Sequence, residues 1–159
     1  HRKAGGTIKS MLLLSLFEME PARYARETAA LVDSDDKEGP DGWIKTDDVF
    51  EGETVDFHFD APGEAAMRLI RFGFLNDQAF EILLQYASSF YPVDRECAQG
   101  LFSLFPGSPA YDPLPQPKTI NETPETTRQQ VDEIRKWLRK EKDGLRWQPK
   151  LRRYSKPPL

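Results

Sequence analysis

The chain has 159 residues, a net charge of -4, 38% apolar and 30% charged side chains, and a mean hydropathy of -0.64. Its length bounds it to one domain, or one domain with arms. A membrane-spanning helix is not expected, because the longest apolar cluster, Met11 to Phe17, falls far short of the roughly 20 residues required. A disulfide framework and a multi-cysteine zinc site are excluded by the single cysteine, Cys97.

The mild net charge conceals an asymmetry. Residues 1–17 carry +3, 18–64 carry -11, 65–127 carry -3 and 128–159 carry +7. An acidic middle and a basic end either pair internally or address partners of opposite sign. The chain opens on His1, and His1 to Gly6 is basic and rich in small residues. That composition is what removal of an organellar presequence leaves, although a trimmed start gives the same residues.

Residues 7–32 have helical periodicity, with Ile8, Met11, Leu12, Leu14, Leu16 and Phe17 crowding one face. Pro21 interrupts it and suits the first position of a second helix, which Ala25, Ala29 and Val32 continue. Asp33 to Gly42 is an acidic loop broken by Gly39, Pro40 and Gly42. Val55, Phe57 and Phe59 alternate with Thr54, Asp56 and His58, which predicts a half-buried strand. Residues 43–50 are its expected hairpin partner, since a lone strand leaves backbone groups unpaired.

The segment Asp60-Ala61-Pro62-Gly63-Glu64 opens a helix carrying Ala66, Met67, Leu69, Ile70 and Phe74. Asn76 or Asp77 caps the next, which presents Phe80, Ile82, Leu83, Tyr86, Ala87 and Phe90 and stops before Pro92. A third, opened at Asp94, runs through Cys97, Leu101 and Phe102 towards Phe105. Residues 62–105 thus read as a three-helix core. Six prolines between 106 and 124 then forbid a helix interior or a central strand and predict an extended linker. Thr123-Pro124-Glu125 starts a final helix to about Lys142, with Gly144 as its stop and only Val131, Ile134, Trp137 and Leu138 as its apolar stripe.

Few of these residues suggest chemistry. Asp56, His58 and Asp60 share one face of a strand and have the donor types for a divalent metal, but no closing ligand accompanies them. Asp33 to Ile44 departs from a calcium loop at its sixth and twelfth positions, Glu38 and Ile44. Cys97 reads as a structural thiol. The stretch Gln78 to Phe90 holds no Lys or Arg, so it is not a DNA-recognition helix.

The expected architecture is mainly α: a small helical core of about five short helices in residues 1–105 with an acidic loop and one strand or hairpin, a Pro-rich extended linker over 106–123, and a basic helix with an extended C-terminal arm over 124–159. Within that arm Trp137, Arg146, Trp147, Arg152, Arg153 and Tyr154 combine the residue types enriched at protein–protein hot spots. The leading expectation is a non-catalytic accessory or scaffold subunit of a large organellar assembly, with a mitochondrial respiratory-chain or ATP-synthase complex as first choice. It needs no cofactor, and its partners are other protein subunits. Two alternatives stand beside it. One is a mitochondrial ribosomal protein that lays residues 128–159 on RNA through cations and aromatic stacking. The other is a small enzyme or metal-binding protein using His58 or Cys97.

Overall fold

The computed structural model describes residues 2–33, 43–50, 53–58, 60–89, 92–109 and 125–157. The fold is mainly helical, with six α-helices and two small antiparallel hairpins among the described residues. The chain divides into two compact units, residues 1–69 and 70–159.

In the first unit, α1 (Arg2–Met19) packs against α2 (Pro21–Val32). Glu20 joins them: its N–H donates to the Leu16 carbonyl at 2.9 Å, and its own carbonyl accepts from Tyr24 N–H at 3.3 Å. Pro21 lies in the first turn of α2, where a missing N–H leaves no bond unmade. Leu14, Phe17, Thr28 and Val32 are fully buried. Strands β1 (Trp43–Phe50) and β2 (Glu53–His58) form the expected hairpin, with Ile44 opposite Phe57 and Thr46 opposite Val55. The register shifts between Thr46 and Phe50, which marks an irregularity before the turn.

Helix α3 (Ala61–Arg71) starts at a side-chain cap, because Asp60 Oδ1 accepts from Gly63 N–H at 3.1 Å. Its buried face carries Ala61, Ala65, Ala66, Met67, Leu69 and Ile70. Arg68 Nε donates to Glu18 Oε1 at 3.0 Å and so ties α3 to α1. Arg68 also pairs with Glu64 one turn back.

The second unit is built on α4 (Asp77–Ala87), α5 (Pro92–Phe102) and α6 (Glu125–Glu141). Asn76 caps α4, its Oδ1 accepting from Ala79 N–H at 3.0 Å. That helix stops at Ala87, and Pro92 opens α5 rather than ending α4. Asp94 therefore sits in the first turn of α5 and accepts from Ser89 Oγ at 2.7 Å instead of serving as the cap. Phe105 is the centre of the core. Its ring meets Phe80 edge-on at 5.5 Å, Trp137 edge-on at 6.3 Å and Tyr154 face to face at 4.7 Å. Helix α6 buries Thr127, Val131, Ile134 and Leu138. Arg135 grips Glu81 of α4 with Nε and Nη2, at 3.0 and 3.2 Å, a fork geometry that fixes orientation as well as charge.

Helix α6 ends in a 3₁₀ turn (Lys142–Gly144). The C-terminal arm, residues 145–157, closes on itself as a second hairpin, β3 (Arg146–Gln148) with β4 (Arg153–Ser155). Residues 1–105 hold the five expected helices, α1 to α5, and α6 is the expected final helix; α1 and α6, at 18 and 17 residues, are longer than expected. The Pro-rich stretch expected to be a linker lies mostly outside the described residues.

Candidate functional site

Among the described residues no three His, Cys, Asp or Glu side chains gather as a metal site. Asp60, one of the three metal candidates, caps α3. The side chains of Asp56 and His58 lie outside the described residues. Cys97 is half-buried in α5. Two surfaces stand out instead, one in each unit.

The first is on α1, which is apolar on two faces. Leu14 and Phe17 point inward, while Ile8 and Leu12 are 56% and 60% exposed, Met19 is 78% exposed, and Met11 and Leu16 are also exposed. Positions 8, 11, 12, 15, 16 and 19 form one helical stripe. Its only polar member is Ser15, whose hydroxyl donates back to the Met11 carbonyl at 3.0 Å. Scattered exposed leucines are ordinary on a monomer, but a continuous apolar stripe is not. The sequence contained this signal: a helix apolar nearly all round has more apolar surface than one neighbour covers. The six residues expected on one face divide between two, Leu14 and Phe17 inward and Ile8, Met11, Leu12 and Leu16 outward.

The second surface is the C-terminal hairpin. Tyr154, one of the six expected partner-binding residues, is 2% exposed and offers no surface to a partner. Its ring stacks on Phe105, its N–H donates to the Leu104 carbonyl at 2.7 Å, and its hydroxyl donates to the Ile70 carbonyl at 2.7 Å. Burial pushes its phenol above the ordinary tyrosine range. Trp147 is half-buried, 5.0 Å from the Tyr154 ring, and lies flat on Gly73, where any Cβ would fall 2.4 Å from the indole Cγ. Gly73 has φ +92°, so both the backbone and the close approach require glycine. Trp137 is half-buried against Phe105. These aromatics hold the hairpin to its unit.

What the hairpin exposes is charge. Its loop is Pro149-Lys150-Leu151-Arg152, turned by a bond from Leu151 N–H to the Gln148 carbonyl at 3.0 Å. Pro149 occupies the turn position that favours proline. Arg152 takes the left-handed region at φ 49°, which a side chain with Cβ occupies at a cost on the order of 1 kcal/mol. Lys150, Arg152 and Arg153 are exposed and bear no ion pair among the described residues, and Leu151 between them is 59% exposed. Arg146 folds back, its Nη1 donating to the carbonyls of Asp143 and Leu145 at 2.8 Å each. In the same unit Arg71, Lys136 and Arg139 are likewise exposed without an ion pair among the described residues, while three other cations are engaged. Glu81 raises the pKa of Arg135, Asp77 does the same to Lys142 at 2.8 Å, and Lys156 holds the Glu141 carboxyl below its usual range.

No family model, curated protein or solved structure matches the chain.

Proposed function

We propose that this chain is a non-catalytic accessory or scaffold subunit of a larger protein assembly. The observation that carries the reading is the exposed apolar stripe of α1, Ile8 to Met19. Covering one leucine-sized side chain contributes about 1.5–3 kcal/mol, so five in one stripe favour association strongly. The occupant we assign is an apolar surface of another protein subunit. The basic C-terminal hairpin adds a second, polar contact.

The RNA alternative loses support, because it needs exposed aromatic faces for stacking and Tyr154 is buried while Trp147 lies on Gly73. The test is the native size of the chain in extracts of its own cells. The expected result is elution far above 18.3 kDa for the wild type and a return to monomer size for Leu12→Glu/Met19→Glu with helical content unchanged. Elution of the wild type as a monomer, or of the variant with the assembly, contradicts the proposal.

A further inference from the structure

We propose that the tip of the C-terminal hairpin, Lys150 to Arg153, is a docking site for an acidic segment of a partner protein. The inference rests on the subunit reading for the existence of a partner and adds that partner's chemistry.

Three observations converge on the tip. Lys150, Arg152 and Arg153 lie within four positions, all exposed and without an ion pair among the described residues, whereas Arg135, Lys142 and Lys156 of the same unit each hold a carboxylate. Arg152 stands at φ 49°, where glycine or asparagine fits with less strain. That left-handed position closes the loop between Gln148 and Arg153, and it carries a cation in place of the glycine or asparagine usual there. The base of the hairpin is rigid: Tyr154 is fixed by a ring stack and two hydrogen bonds, and Trp147 by Gly73. The cations are thus presented on an ordered support, which lowers the entropy lost on binding.

The charge selects the occupant. Guanidinium groups take carboxylates in forked pairs, and Leu151, exposed between two cations, adds an apolar contact. Single-stranded RNA lacks a stacking face here, as Tyr154 is buried. An anionic bilayer meets one exposed leucine on a chain of net charge -4, too little for stable anchoring.

The experiment is fluorescence anisotropy on the purified full chain. Its probes are a labelled peptide of alternating Glu and Asp with one central Leu, the same peptide with Gln for every acid, oligouridine, and phosphatidylserine vesicles. The acidic peptide is expected to bind, to weaken with salt, and to lose about tenfold in affinity with Arg152→Gly and again with Lys150→Gln/Arg153→Gln. The melting temperature of Arg152→Gly should not fall, because glycine relieves the left-handed backbone. Absent binding of the acidic peptide, unchanged affinity in both variants, or tighter binding of oligouridine or vesicles overturns the proposal. A chain that elutes as a monomer from its own cells while still binding the acidic peptide defeats the subunit reading and leaves this site standing.

Discussion

Single residues hold the two units in different ways. Thr28 is completely buried and its hydroxyl has no hydrogen-bond partner among the described residues. An unsatisfied buried hydroxyl is a net cost, so Thr28→Val is expected to raise stability by about 1 kcal/mol, read as a higher urea midpoint at unchanged slope. Gly73→Ala is expected to cost about 2–4 kcal/mol, because it forces a Cβ into both a left-handed backbone and the Trp147 ring. Tyr154 makes a pH signature. Its phenol stays protonated in the folded chain above the pH near 10 at which an unfolded tyrosine ionises. The unfolded state then binds fewer protons, so this group's contribution is intact below about pH 10 and declines as pH rises further. Tyr154→Phe should flatten that alkaline decline, at the cost of about 1 kcal/mol for the lost bond to Ile70 at neutral pH. An equally steep alkaline decline in the variant would show that Tyr154 does not titrate as described. Some local roles were legible in the sequence: the Asn76 cap and the Pro21 start depend on near neighbours, whereas Asp60, weighed as a metal candidate, caps α3. The Tyr154 hydroxyl meets a carbonyl 84 residues earlier, and nothing in spacing or composition encodes that pairing.

At the scale of elements, the helices and the first hairpin followed from periodicity and breakers, because long segments repeat their signal. The second hairpin did not. Its strands have three residues each, too few to display alternation, and its turn lacks the glycine or asparagine that usually marks a left-handed position. With three prolines and five cations, the segment reads as a tail until Tyr154 and Trp147 are seen to anchor it. Helix α1 shows the opposite difficulty: its apolar content was plain, but which side faced inward was not. The two faces separate by mutation. Leu14→Ala, at a fully buried position, is expected to cost about 2–5 kcal/mol. Leu12→Ala, two residues earlier on the exposed stripe, should change the stability of the isolated chain by less than about 0.5 kcal/mol. Chemical denaturation of both variants checks the assignment, and comparable losses would place Leu12 in the core.

For the whole molecule, a net charge of -4 divides into -7 on residues 1–69 and +3 on residues 70–159. The C-terminal basic surplus survives folding at the hairpin tip, where no carboxylate of the described residues answers it. The apolar stripe of α1 is the larger feature, and the claim that another subunit covers it has a reporter built into the sequence. The chain has three methionines. Met11 and Met19 lie on the stripe, and Met67 is buried within the first unit at 4% exposure. Oxidation by dilute peroxide, read residue by residue by mass spectrometry, compares the purified chain at low concentration with the chain in a native extract of its own cells. Met11 and Met19 should oxidise readily in the purified chain and be protected several-fold in the extract, while Met67 stays protected in both. Equal oxidation of Met11 and Met19 in the two samples, with Met67 unchanged, would contradict the account.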